Sequence, residues 1–269
     1  GTVISNGIVP GMKKPVALVG IAEKGYVSLE LKVNMAGGHS SMPDKTTAIG
    51  VLSKAVSTLE ANPFPAVISK PVEEFMSYLG PEMPFAQKMA FSNLWLFKGV
   101  VLKKYLEKPS SAATVRTTTA PTIINGGVKD NVLSPSATAT VNFRILPGQT
   151  IETVIQYVKE TINDDRVNIT IYHKGFNPSP VSDTQSPSFK NVEKTIKQIF
   201  PDAVTAPSLM LGGTDSKYYS DITNNIYRFM AVPYTQEDLK RLHGVNERIK
   251  ITDFKNLIRF YTQLIINNN

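Results

Sequence analysis

The chain has 269 residues, of which 42% are hydrophobic and 19% charged, and it contains no cysteine. This is the composition of an ordinary soluble globular protein long enough for two modest domains, and it excludes a disulfide framework and cysteine-built zinc sites. The formal charge of +7 comes from basic residues scattered among acids, and the densest group, Lys98, Lys103, Lys104 and Lys108, is interleaved with apolar residues like the solvated side of a helix, so no nucleic-acid partner is expected.

The N-terminal stretch GTVISNGIVPG has no initiator Met and lacks the basic and apolar regions of a signal peptide. It reads as starting in mid-strand, so a truncated or processed chain is expected. No stretch reaches the roughly 18 uninterrupted apolar residues of a spanning helix. The nearest, Phe91 to Leu102, is broken by Lys98. No membrane partner is expected, and the compartment stays open between cytoplasmic and periplasmic or secreted.

From 15 to 35, PVALVGIAEKGYVSLELKVNM gives two strand-like runs around Glu23-Lys24-Gly25. Val27, Leu29, Leu31 and Val33 alternate with more polar neighbours, as in a half-buried strand. After a GGHSSMP loop, Ile49, Leu52, Val56 and Leu59 recur at helical spacing until Asn62-Pro63 stops the helix. Residues 63–110 form an insertion rich in Pro, Met and aromatic residues that contains the sole tryptophan, Trp95. One or two helices are expected there, with an apolar face that either packs on a neighbour or walls a hydrophobic substrate pocket.

Two β-rich stretches follow, TVRTTTAPTIINGG and ATATVNFRILPG, the second alternating Val141, Phe143 and Ile145 on one face. TIETVIQYVKETIN carries Ile151, Val154, Ile155, Val158 and Ile162 at helical spacing behind a cap at Thr150, and RVNITIYHKG reads as a closing strand at an edge. Residues 25–175 therefore read β-α-(insertion)-β-β-α-β, the order of a ferredoxin-like α+β sandwich. The Pro- and Ser-rich FNPSPVSDTQSPS marks a boundary. Beyond it come a helix (188–199), a strand APSLMLGG, a turn into a helix at TDSKYYSD, a strand NIYRFM and a final helix (252–266). This is an α/β layer with only two clear strands, which needs others to complete its sheet.

None of the G-x-S-x-G, Walker A, G-x-G-x-x-G or H-E-x-x-H patterns is present. The candidates are polar residues in loops. His39, between two glycines and two serines, is placed to project outward and donate to an oxyanion or carboxylate, or it belongs to an ordinary surface loop. A Ser40 or Ser41 nucleophile with His39 as its base is disfavoured, because adjacent residues seldom reach triad geometry. Asn131 can polarise a carbonyl or cap a turn; Arg144 can grip a carboxylate in two-point fashion or face solvent from a strand. Gly212, Gly213, Thr214, Asp215 and Ser216 sit between a strand and a helix, where the same residues make an anion site or a helix cap. His243, before Gly244, suits zinc, but a zinc site needs about three or four protein ligands. The two other histidines, His39 and His173, lie far away in sequence.

Taken in order, AEKGYVSLEL…GGHSSMP, TTTAPTIINGGVKDNVLSP, NFRILPG, LGGTDSKYY and HGVNERI resemble the motifs of zinc-dependent M20-family metallopeptidases, and most of all the branch of carboxypeptidase S, Gly-Xaa carboxypeptidase and N-acyl amino acid hydrolases. The resemblance runs over essentially the whole chain. It implies a ferredoxin-like lid domain, often a dimerisation domain, inserted into a two-zinc α/β catalytic domain. Residues 1–24 would be a catalytic-domain segment, 25–176 the lid with its helical insertion at 63–110, and 177–269 the C-terminal part of the catalytic domain.

By the same resemblance His243 is a zinc ligand and His39 is the lid histidine that steadies the oxyanion, often across a dimer. Asn131 and Arg144 hold the substrate carbonyl and carboxylate, and Gly213 and Thr214 line the substrate site. The first His-Asp pair of ligands, the bridging Asp and the Glu pair with the general base belong to a preceding half that this chain lacks. The expectation is the C-terminal portion of a metallohydrolase acting on a peptide or N-acyl amino acid, with two zinc ions per intact subunit and a homodimer formed through the lid. The chain alone is expected to hold an incomplete site and to be inactive. The alternative is a non-catalytic dimerisation module.

Overall fold

The computed structural model describes residues 1–4, 8–241 and 244–269. Its first elements are β1 (Thr2–Ile4), β2 (Val16–Glu23), β3 (Gly25–Asn34), β4 (Gly38–His39), α1 (Ala48–Ala61), α2 (Lys70–Leu79), α3 (Phe85–Ser92), α4 (Leu94–Tyr105) and α5 (Pro109–Val115). They are followed by β5 (Thr118–Gly126), β6 (Val132–Leu133), β7 (Ser136–Ile145), α6 (Ile151–Ile162) and β8 (Val167–Phe176). Last come α7 (Pro187–Ile199), β9 (Val204–Met210), β10 (Met230–Tyr234), α8 (Gln236–Arg241) and α9 (Ile251–Asn268). No helix among the described residues is long and apolar enough to cross a membrane.

The chain divides into two compact units. The unit formed by Lys24–Val67 and Pro109–Ser179 holds an antiparallel sheet in the order β5-β7-β3-β8. With its strands visited as β3, β5, β7 and β8, this is the ferredoxin-like arrangement that the β-α-β-β-α-β reading requires. The two-residue period of a strand decides its faces. Val27, Leu29, Leu31 and Val33 on β3 and Ala137, Ala139, Val141, Phe143 and Ile145 on β7 are all buried and pack on Leu52, Leu59, Val154 and Val158 of α1 and α6. Their neighbours Tyr26, Ser28, Glu30, Asn142 and Arg144 fall on the other face. The helices start where sequence chemistry sets them. Thr47 caps α1 by accepting from Gly50 N at 3.1 Å, and Thr150 and Thr153 cap α6 reciprocally.

The other unit comprises Gly1–Glu23, Ile68–Lys108 and Pro180–Asn269. Its sheet runs β10-β1-β2-β9, with β2 parallel to β9 and β1 parallel to β10. Residues 1–24 thus supply the two strands that the C-terminal stretch lacked. Phe189 and Ile196 of α7 and Phe260 of α9 cover one set of buried strand residues, Val3, Ala17, Val19 and Ile21. Leu79, Met83 and Met12 cluster with Val16 and Ala206.

Three features differ from the sequence expectations. The insertion, read as part of the 25–176 unit, contributes its segment Ile68–Lys108 to the unit containing β9, because α2 lies along that strand. It forms α2, α3 and α4 rather than one or two helices, since Pro81, Pro84 and the Asn93 cap interrupt it. The strand expected at NIYRFM starts only at Met230, because Arg228 is already engaged with Gly20 in an isolated antiparallel bridge.

Candidate functional site

In the first unit described, β4 and β6 form a two-residue ribbon that pairs His39 with Val132 and Gly38 with Leu133. Ser40 N donates to Asn131 O at 3.2 Å, so the backbone brings His39 and Asn131 to one place. Two glycines make the turn possible. Gly127 has φ +74°, and a Cβ at Gly126 would lie 2.9 Å from Cγ1 of Ile49. Beside the ribbon is a groove of about 600 Å³ lined by Ser40, Thr47, Ile49, Gly126, Val128 and Leu133 among others. Ile49, on the exposed side of α1, serves this groove rather than the core.

The His39 ring is exposed and oriented. Its Nδ1 accepts the Ser41 amide hydrogen at 3.2 Å and lies 2.8 Å from the Ser41 hydroxyl. A backbone N–H can only donate, so in the neutral ring Nδ1 is the acceptor and Nε2 carries the hydrogen. Nε2 has no hydrogen-bond partner among the described residues. The site can therefore present an imidazole N–H to an electron-rich atom of a ligand, with Asn131 tied to the same loop through its backbone carbonyl.

Arg144 stands on the helix-free face of the same sheet, its guanidinium 4.8 Å from the centre of the Tyr26 ring. It makes no ion pair among the described residues. Its buried neighbour Lys24 donates from Nζ to Ala113 O at 2.8 Å and to Arg116 O at 2.7 Å. Burial, and secondarily the Arg144 charge, lower the Lys24 pKa to about 7. Arg144 pairs in register with Tyr26, whereas the end of the strand nearest His39 pairs Asn34 with Ser136. Eight residues of strand, roughly 27 Å, separate these positions. One copy of the unit does not bring Arg144 together with His39 and Asn131.

Gly213 and Thr214 lie in the other unit, in the loop after β9. Thr214 caps the 3-10 turn Asp215–Tyr219 by accepting from Ser216 N at 3.2 Å, and its hydroxyl donates to the Glu23 carboxylate. Arg228 Nε lies 3.0 Å from Oε1 of Glu23 and donates to Ser216 Oγ at 2.6 Å. Sequence reasoning passed over Glu23 and Arg228. The available signal was a single acid at the end of the apolar run VALVGIAE and a single base within NIYRFM.

His243, the expected metal ligand, lies outside the described residues. Among the described residues no three His, Asp or Glu side chains come together as a metal site would require. The described residues therefore do not make a zinc site by themselves.

The comparisons with known proteins bear on this arrangement. Residues 21–170 match the family model of a peptidase dimerisation domain, the M20 type. The chain belongs to the M20 peptidase family. It is 45% identical over 260 residues to probable carboxypeptidase S-like 2 of Dictyostelium discoideum, covering 97% of this chain and 50% of that protein. To human N-fatty-acyl-amino acid synthase/hydrolase PM20D1 it is 41% identical over 271 residues, covering 99% of this chain and 54% of that protein. The chain thus spans about half the length of the curated relatives it matches. Its fold is similar to that of the M20 family metallo-carboxypeptidase Sso-CP2 from Sulfolobus solfataricus, with a TM-score of 0.61 at 16% identity over 93% of this chain and 60% of that one. The ferredoxin-like unit of this M20 chain is accordingly its dimerisation lid.

Proposed function

We propose that the chain is the lid-bearing portion of an M20 metallohydrolase that cleaves the amide bond of a peptide or N-acyl amino acid with a free carboxylate. The observation that carries this reading is the exposed His39 ring, whose Nδ1 is engaged by Ser41 so that Nε2 carries the hydrogen, on a loop bonded to the Asn131 backbone carbonyl. A fixed N–H donor stabilises the oxyanion that forms when an amide carbonyl is attacked, and it needs no reorganisation to do so. The Asn131 amide binds the same carbonyl, and the Arg144 guanidinium, free of any ion pair among the described residues, takes the substrate carboxylate. The named activities of the relatives, carboxypeptidase and N-fatty-acyl amino acid hydrolase, both act on such compounds.

In this reading the family's metal, two zinc ions per intact subunit, is held mostly by residues outside this chain, with His243 as a single contributor. The 269-residue chain is inactive by itself and pairs through its lid into a homodimer. The experiment is hydrolysis of an N-acyl amino acid and of a dipeptide by a polypeptide extended to the length of its relatives, with the His39→Ala variant and the present chain beside it. Turnover by the extended protein, lost in His39→Ala and absent from the short chain, is expected. Amide hydrolysis by the short chain with two zinc ions bound would overturn the reading. A strict monomer in light scattering at high concentration would remove the dimer.

A further inference from the structure

A buried charge pair lies beneath the Gly212–Ser216 loop. Glu23 is 1% exposed and Arg228 7%. Besides the Nε contacts to Glu23 and Ser216, Arg228 donates from Nη1 to Ile226 O at 3.2 Å. Its backbone is fixed to β2 in both directions, Gly20 N to Arg228 O and Arg228 N to Gly20 O, each at 2.9 Å. The hydroxyls of Thr214 and Ser216 lie 2.8 Å apart. Carboxylate, guanidinium and two hydroxyls thus close a ring that ties the loop after β9 to the end of β2.

A buried pair of this kind is a poor source of net stability, because desolvation of both ions offsets most of their attraction. What it supplies is direction. The loop starts with two exposed glycines, and no atom lies within 4 Å of a Cβ built at Gly212. Such a segment has wide backbone freedom and no side chains to pack at its start. The hydroxyls of Thr214 and Ser216 bond to the charge pair, Thr214 to Glu23 and Ser216 to Arg228.

We propose that Glu23 and Arg228 are positioning residues that fix the Gly212–Ser216 loop through the hydroxyls of Thr214 and Ser216. The proposal rests on the reading above for its purpose, since the resemblance to the M20 family is what puts Gly213 and Thr214 at the substrate site of such a hydrolase. Neither Glu23 nor Arg228 is required to touch the substrate.

Ser216→Ala is the mildest test, because it removes one hydroxyl from the ring and leaves both charges in place. Hydrogen exchange of the loop amides at 213–217 is expected to rise about tenfold, with the amides of β2 and β9 unchanged. Ser216→Thr, which restores a hydroxyl, is expected to recover the protection. Unchanged exchange in the loop would overturn the proposal. So would an equal rise in β2 and β9, which would make the ring a prop for the sheet alone. Kinetics of the extended protein keep the two readings apart: Ser216→Ala should raise KM for the N-acyl amino acid while kcat holds. A loosened loop with unchanged KM would confirm the anchoring and remove Gly213 and Thr214 from the substrate site.

Discussion

The Nδ1 atom of His39 accepts the amide hydrogen of Ser41 at 3.2 Å. This one contact sets the tautomer and leaves Nε2–H as the outward group. In nitrogen-15 spectra of the chain, the neutral His39 ring is expected to show the Nε2–H tautomer. In the extended protein, His39→Ala should lower kcat by about 100- to 1000-fold with little change in KM, because the donor acts on the developing oxyanion. Equal losses in kcat and in substrate binding would instead mark His39 as a binding residue.

The lowered pKa of Lys24 makes the stability of the lid depend on alkaline pH. The ordinary lysine value is 10.5 and the folded value about 7, so between the two the unfolded chain binds the proton and the folded chain does not. Stability is therefore lowest below about pH 7 and rises as pH increases toward 10. Relative to Lys24→Met, the unfolding free energy of the parent chain should gain about 3–4 kcal/mol between pH 7 and pH 10, measured by urea denaturation at each pH. A constant difference across that range would show that Lys24 stays charged when buried.

Phe143 is fully buried in the lid and meets the Phe64 ring edge-on at 6.0 Å, while Phe64 in turn stacks on Tyr157. Phe143→Ala removes the buried end of that cluster and should cost the lid about 3–5 kcal/mol. The loss is readable as a lower urea midpoint in the lid's own unfolding transition.

Much of the lid was legible in the sequence because its period is unambiguous. The alternation at Val27, Leu29, Leu31 and Val33 can satisfy one buried face only as a strand, and the Thr150 cap marks where α6 begins. The 63–110 insertion was harder. Its apolar residues identify helices, but nothing in their spacing says which neighbour they pack on, and α2 went to β9. The strand at NIYRFM was misplaced because Ile226, Tyr227 and Phe229 have the composition of a strand. Arg228 instead spends its backbone on a bridge to Gly20. For the site, residue type was enough to single out His39, Asn131 and Arg144. The grouping of His39 with Asn131 depends on the β4–β6 ribbon, whose strands of two residues are too short to leave a pattern, and Arg144 stands apart from them on β7.

The strand length between Arg144 and His39 has a consequence for inheritance of function between copies. On the function proposed above, a small substrate held by Arg144 of one lid cannot also reach His39 of that lid, so in a lid-paired dimer the two residues would serve different catalytic centres. Two inactive proteins, one lacking the His39 imidazole and the other the Arg144 guanidinium, should then complement each other when their subunits are mixed. Half of the centres in such a hybrid would carry both lesions, and the other half would carry none.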